Sequence, residues 1–86
     1  MNISVELTFS PLQDDFEDHI INFIKKLRAS GLRILENPLS TQVYGEYGVV
    51  MQVLHTEIET AFKLMDKGLL FMKIVKSDRS DYEPHF

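Results

Sequence analysis

Cysteine is absent from the sequence, which excludes disulfide bonds, thiol catalysis and cysteine-ligated metal sites. Basic residues are not in excess, since nine Lys and Arg stand against thirteen Asp and Glu, for a formal net charge of −4. Proteins that bind nucleic acid normally carry a basic stripe, so we expect no nucleic-acid partner. Long apolar runs are also missing, which predicts that no segment spans a membrane and that the protein has no membrane partner.

The composition is that of a globular protein, with 44% hydrophobic and 26% charged residues in a chain of 86. That length is enough for one small domain with a modest core. The first residues enter a strand pattern at once, so we expect no secretion signal and a cytoplasmic location. We predict one domain over residues 1–77 and a polar C-terminal tail over residues 78–86.

The first third of the chain predicts a strand followed by a helix. Apolar and polar residues alternate over residues 2–10, which is typical of a half-buried strand, and Pro11 ends it. Asp14 is then expected to cap a helix, with Glu17 three residues later completing a capping box. Gly31 is expected to close the helix with a left-handed backbone conformation.

The rest of the chain predicts two short strands, a second helix and a last strand. The short strands cover residues 32–36 and 41–45 and are separated by Asn37-Pro38, because the residue before proline is pushed towards extended conformations. The second helix is predicted over residues 49–67 and is stopped by Gly68. The last strand is predicted over residues 69–76.

The order β-α-β-β-α-β predicts an α+β ferredoxin-like fold, in which a four-stranded antiparallel sheet carries two helices on one face. The helix stripes would cover the apolar side of the sheet. The expected sheet residues of the core are Ile3, Val5, Leu7, Phe9, Val43, Met72 and Ile74.

The opposite face of the sheet, which we call the open face, is predicted to lack a helix. Glu6 and Thr8 of the first strand would there neighbour Gln42 and Tyr44 on one side and Phe71 and Lys73 on the other. Several large apolar residues would also be exposed, and such patches usually mark an interface. The predicted interface of a homodimer or homotetramer consists of Leu35, Leu69, Phe71 and Val75.

The residues that carry chemistry form no catalytic or metal-binding pattern. His19 and His55 lack a partner at metal-ligand spacing, and the carboxylate pair Asp14-Asp15 is explained by helix capping. The hydroxyl groups lack a base partner, and the glycines form no phosphate-binding loop. We therefore expect no catalytic residue, no metal, no cofactor and no enzymatic activity. An acylphosphatase-like hydrolase would need an anion-binding loop with arginine after the first strand, where this chain has Pro11 to Asp15.

Three segments of the chain form a recognisable set. They are Val-Glu-Leu-Thr-Phe-Ser-Pro-Leu at residues 5–12, Ser-Thr-Gln-Val-Tyr-Gly-Glu-Tyr at residues 40–47 and Leu-Phe-Met-Lys-Ile at residues 70–74. Together they resemble the YkoF-like family of thiamine- and hydroxymethylpyrimidine-binding proteins. The resemblance extends to about residue 77. It implies a ferredoxin-like domain, used in tandem or as a homo-oligomer, that binds thiamine or its pyrimidine moiety without turning it over.

The resemblance and the polar residues of the open face together suggest where a ligand would bind. An aminopyrimidine offers hydrogen-bond donors and acceptors, and a thiazolium cation favours a carboxylate and an aromatic face. The expected ligand-binding residues are Glu6, Ser10, Leu12, Ser40, Thr41, Gln42 and Tyr44. The alternative is a structural module that forms homo-oligomers and has no small-molecule ligand.

Overall fold

A computed structural model describes residues 1–85 and confirms the predicted element order. The elements are β1 (Asn2–Pro11), α1 (Phe16–Arg28), β2 (Arg33–Glu36), β3 (Thr41–Glu46), α2 (Tyr47–Lys63) and β4 (Gly68–Val75). The strands form one antiparallel sheet in the order β2-β3-β1-β4. This is the ferredoxin-like α+β fold. The last residue, Phe86 of the predicted tail, lies outside the described residues.

The core forms where the alternating residues of β1 meet the two helices. Ile3, Val5 and Leu7 are at most 2% exposed, and Val5 is paired with Val43 of β3. Burial of each such side chain contributes roughly 1.5–3 kcal/mol, so this stripe and the helices hold the domain together. The helices add Phe23, Leu27, Val50, Leu54 and Ala61.

Two residues of β4 that were predicted to lie in the core are exposed, so that prediction was wrong. Met72 is 42% and Ile74 is 45% exposed, although both are on the helix side of the sheet. The reason is that β4 is an edge strand, and the helices pack mainly over β1, β2 and β3. Phe9 is half-buried against the ring of Phe23, with ring centroids 4.8 Å apart.

The start of α1 differs from the predicted capping box of Asp14 and Glu17. The helix begins at Phe16 with Asp15 in the N-cap position, and within residues 1–85 the Asp15 side chain makes no capping hydrogen bond. The Asp15 carboxylate instead accepts a hydrogen bond from Gln13 Nε2 at 2.6 Å. This bond lowers the pKa of Asp15 below its usual value. The sequence pattern could not show that Gln13 competes for the carboxylate.

The second helix is offset from the prediction by a few residues at both ends. It begins at Tyr47 because the Glu46 carboxylate accepts a hydrogen bond from the Val49 N–H at 3.0 Å and caps the helix directly after β3. It ends at Lys63, before the predicted end at residue 67. Gly31 has a φ of +87°, which confirms the predicted left-handed residue after α1. Neither helix within residues 1–85 is long and apolar enough to cross a membrane.

Candidate functional site

Glu6 lies in the middle of the open face, where three strands meet. Its partner on β3 is Gln42 and its partner on β4 is Lys73, while Thr8 is paired with Phe71. The predicted neighbours across the open face are therefore confirmed, except that Tyr44 is paired with Ser4. The pairing follows from the sheet order, which places β1 between β3 and β4.

Both carboxylate oxygens of Glu6 have partners. Ser40 Oγ donates a hydrogen bond to Glu6 Oε2 at 3.0 Å, and Lys73 Nζ lies 3.4 Å from Glu6 Oε1. Gln42 Nε2 donates to Ser40 Oγ at 2.8 Å. We call these four residues the Glu6 cluster. Its bonds fix the carboxylate in one orientation on a half-buried part of the sheet.

Ser40 is placed by the turn between β2 and β3. The side-chain oxygen of Asn37 accepts hydrogen bonds from the backbone N–H groups of Leu39 and Ser40, at 2.8 and 2.9 Å. The Asn37 N–H donates in return to the Ser40 carbonyl at 3.0 Å. Asn37-Pro38 is thus a turn that brings the Ser40 hydroxyl to Glu6, 34 residues earlier in the chain.

A groove of about 330 Å³ opens beside the Glu6 cluster. Glu6, Gln42 and Lys73 of the cluster form its floor, and Arg79 of the segment after β4 forms one wall. The groove is lined by Ser4, Val5, Glu6, Gln42, Tyr44, Lys73, Val75 and Arg79.

The wall of the groove is held in place by Ser4, which is almost completely buried. The Ser4 hydroxyl donates to the Ser77 carbonyl at 2.7 Å and accepts from the Arg79 N–H at 2.8 Å. Arg79 Nε also donates to Ser77 Oγ at 2.8 Å. The Ser4 hydroxyl therefore holds the segment after β4 in place across the end of the open face.

The segment after β4 is hydrogen-bonded at least as far as Asp81, whereas the sequence suggested only a polar tail. Arg33 Nη1 lies 3.1 Å from Asp81 Oδ1, so the segment reaches β2 at the far side of the sheet. Ser80 donates through its side chain and its backbone N–H to Asp78, and these bonds lower the pKa of Asp78. Sequence reasoning missed Ser4 and Arg79 as groove residues.

The structure divides the predicted ligand-binding residues into two groups. Glu6, Gln42 and Tyr44 line the groove, and Ser40 joins them through its hydrogen bond to Glu6. The remaining three are Ser10, Leu12 and Thr41, and the groove does not include them.

Their positions in the sheet explain why these three residues lie outside the groove. Ser10 is on the open face but opposite Leu69, two pairs beyond Thr8, and Leu12 follows the end of β1. Thr41 is buried on the helix side, where it lines a separate cavity of about 150 Å³ between α1 and the β2–β3 turn.

The predicted interface residues are not gathered into one patch. Leu35, Leu69 and Phe71 are exposed, Phe71 most of all at 65%, but Val75 is half-buried at the groove. Leu35 lies on β2 and the other three on β4, so β3 and β1 separate them by roughly 14 Å at normal strand spacing. The apolar exposure of the open face is therefore concentrated on β4.

The groove combines hydrogen-bonding groups with two cations and one anion. Gln42 offers a donor and an acceptor, Tyr44 offers an aromatic face, and the charge of Glu6 is balanced by Lys73. Arg79 adds a second positive charge at the wall. Such a site suits a small planar molecule that has several hydrogen-bonding edges.

The chain is similar in structure to several solved proteins. A candidate thiamine biosynthesis/salvage protein from Thermotoga maritima has a TM-score of 0.81 and is 19% identical, with 90% of this chain and 85% of that chain covered. A protein from Streptococcus pneumoniae has a TM-score of 0.84 and is 24% identical, with 91% and 89% covered. A domain of unknown function, DUF77, from Bacillus cereus has a TM-score of 0.76 and is 15% identical, with 96% and 83% covered.

At these identities the likeness shows the fold alone. The sequence matches no family model and no curated protein.

Proposed function

We propose that this protein binds thiamine or its hydroxymethylpyrimidine moiety without turning it over. The observation that carries the proposal is that Glu6 and Gln42, which line the groove, form one hydrogen-bonded set with Ser40. The family resemblance of residues 5–12, 40–47 and 70–74 supports it. So does the structural likeness to a candidate thiamine biosynthesis/salvage protein. A cytoplasmic location is part of the proposal.

The chemistry of an aminopyrimidine matches the groups in the groove. Its ring nitrogens accept hydrogen bonds and its exocyclic amine donates them, while Gln42 can do both and Glu6 accepts. Tyr44 supplies an aromatic face for the ring. A volume of about 330 Å³ is at the lower end of the usual range for ligand pockets, roughly 300–1,000 Å³, and so suits a single small ring.

The charges in the groove favour the neutral pyrimidine over the thiamine cation. Lys73 already balances the Glu6 carboxylate at 3.4 Å, and Arg79 adds a second positive charge to the lining. A thiazolium ring would meet like charges there, whereas hydroxymethylpyrimidine would not. We therefore propose hydroxymethylpyrimidine as the tighter ligand of the two.

Isothermal titration of the purified protein with each compound tests this proposal. We expect saturable binding in the micromolar range or tighter, with hydroxymethylpyrimidine ahead of thiamine. Gln42→Leu should abolish binding, and Gln52→Leu on the exposed side of α2 is the matched control, because it is the same chemical change outside the groove. Lys73→Ala should improve thiamine binding relative to hydroxymethylpyrimidine. Absence of heat with both compounds would refute the proposal.

A second candidate function is self-association, alone or together with ligand binding. It is favoured by the exposure of Leu69 and Phe71, which lie next to each other on the open face of β4. Phe71→Asp should lower the solution mass measured by light scattering, while Leu39→Asp, in the exposed β2–β3 turn, should leave it unchanged. Equal masses for both variants and the unaltered protein would contradict this role for β4.

A further inference from the structure

The cavity between α1 and the β2–β3 turn is lined mainly by apolar side chains. It has a volume of about 150 Å³, and none of the described residues that line it is charged. The exposed members of the lining are residues 37–39 of the turn, which mark its mouth. The apolar walls, supplied by β1 and α1, are Leu7, Phe9, Ile20, Phe23 and Ile24.

The size of this cavity is unusual for the interior of a small domain. Protein interiors are close-packed and contain few voids larger than a water molecule. Leu7 and Phe23 are at most 3% exposed, so the cavity reaches from its mouth to the core. A cavity of this volume with Leu, Ile and Phe walls stays free of water and can hold one benzene molecule. The space therefore corresponds to a single six-membered ring.

One buried polar group lies on the wall of the cavity without a partner. Thr41 is 9% exposed and is paired with Leu7, so its side chain is on the helix side of the sheet, as the cavity is. Its hydroxyl makes no hydrogen bond to any other residue within 1–85. Ser4, which is buried to a similar degree, makes two. Because an unpaired buried hydroxyl is costly, the Thr41 hydroxyl is available to a bound molecule.

The polar groups near the mouth are mostly engaged elsewhere. Ser40 Oγ is bonded to Glu6 on the open face, and Asn37 Oδ1 accepts two backbone hydrogen bonds within the turn. A buried water molecule normally needs two to four polar partners, and Thr41 alone cannot supply them. A mostly apolar molecule with a single hydrogen-bonding group matches this lining better than water does.

We propose that the cavity binds a neutral single-ring aromatic molecule that carries one hydroxyl group, a molecule of the phenol class. The ring would pack against the apolar walls, and the hydroxyl would form a hydrogen bond with Thr41 Oγ1. A charged ligand is disfavoured because no residue of the lining could balance its charge. The groove lies on the other face of the sheet and is lined by charged residues, so this second site does not depend on the function proposed above.

Phenol itself is the probe, and NMR of the methyl groups locates it. We expect the methyl signals of Leu7, Ile20 and Ile24 to shift and saturate during titration, while those of Val75 at the groove stay in place. Toluene has the same size and lacks the hydroxyl, so it measures the contribution of the ring alone. Absence of saturable shifts with phenol would overturn the proposal.

Thr41→Val removes the hydroxyl and keeps the shape of the side chain. Loss of one hydrogen bond should lower the ratio of phenol affinity to toluene affinity by roughly two- to tenfold. The melting temperature of the ligand-free variant should stay the same or rise, because the lost hydroxyl had no partner. Thr56→Val, on the exposed side of α2, is the matched control and should leave the ratio unchanged. An unchanged ratio or a lower melting temperature in Thr41→Val would contradict the role of this hydroxyl.

A second pair of variants tests the location of the ligand. Ile20→Phe adds volume to the wall and should abolish phenol binding, whereas Ile21→Phe is the same change at a 47% exposed position outside the cavity and should leave binding intact. Circular dichroism checks that both variants are folded. Phenol binding by folded Ile20→Phe would overturn the location.

Competition keeps this proposal separable from the ligand proposed for the groove. We expect hydroxymethylpyrimidine to leave bound phenol in place, and its displacement of phenol would overturn the assignment of two separate sites. If the protein binds phenol but neither thiamine nor hydroxymethylpyrimidine, the groove proposal alone fails. If it binds hydroxymethylpyrimidine and not phenol, the cavity proposal alone fails.

Discussion

The substitution Ser4→Ala removes one hydroxyl and should free the segment after β4 that forms the wall of the groove. The Ser4 hydroxyl holds the Ser77 carbonyl and the Arg79 N–H at 2.7 and 2.8 Å, so its loss leaves two backbone groups without these partners. Each hydrogen bond contributes a net of about 0.5–1.5 kcal/mol, so the free energy needed to open the segment should fall by about 1–3 kcal/mol. That corresponds to roughly five- to 150-fold faster exchange of the Arg79 amide through local opening.

Amide hydrogen exchange followed by NMR measures this change directly. Ser10→Ala is the control, because Ser10 lies on the same face of β1 but opposite Leu69, away from the segment. We expect the Arg79 amide to lose protection in Ser4→Ala only, while core amides such as that of Val5 stay protected in both variants. Equal protection of Arg79 in the two variants would refute the reasoning. Because Arg79 lines the groove, Ser4→Ala should also weaken any ligand that the wall contacts.

Three further changes test the core, a turn and an ion pair by urea unfolding. Leu27→Ala removes a fully buried side chain and should destabilise the protein by about 2–5 kcal/mol, while Leu39→Ala, at a position exposed to solvent, should cost less than about 0.5 kcal/mol. Gly31→Ala should lower the free energy of unfolding by about 1–2 kcal/mol because of the left-handed backbone alone, since a Cβ there meets nothing within 4 Å. An unchanged free energy of unfolding would contradict the positive φ. Arg28 lowers the pKa of Glu36 below its usual 4.5, so the ion pair stabilises the folded protein above that pH. The difference in unfolding free energy between the unaltered protein and Glu36→Gln should therefore disappear as the pH falls through the lowered pKa of Glu36.

The fold could be predicted from the sequence because its signals are local and strong. Alternation over residues 2–10 indicated β1, and the faces of that strand are as expected, with Val5 buried and Glu6 on the open side. The error at Met72 and Ile74 arose because alternation shows which face a residue is on and does not show whether a helix reaches that part of the sheet. Coverage depends on where the helices lie, and β4 is at the edge.

The candidate site could be predicted only in part. Strand register brought Glu6 beside Gln42, and the Asn37-Pro38 turn brought Ser40 to the same place, so these residues followed from the fold plan. Arg79 did not, because its place depends on a hydrogen bond from its backbone N–H to the side-chain hydroxyl of a residue 75 positions away. Neither hydrophobic period nor turn chemistry carries information about such a contact.

β4 contributes to the groove on one face and stays exposed on the other because it lies at the edge of the sheet. Lys73 points to the open face and balances Glu6 because the two residues are paired across β4 and β1. Met72 points to the helix side and stays exposed because the helices pack mainly over β1, β2 and β3. A central strand would have both faces constrained by neighbours on two sides. An edge strand is held on one side only, so its open-face residues can line a groove while its helix-side residues stay uncovered.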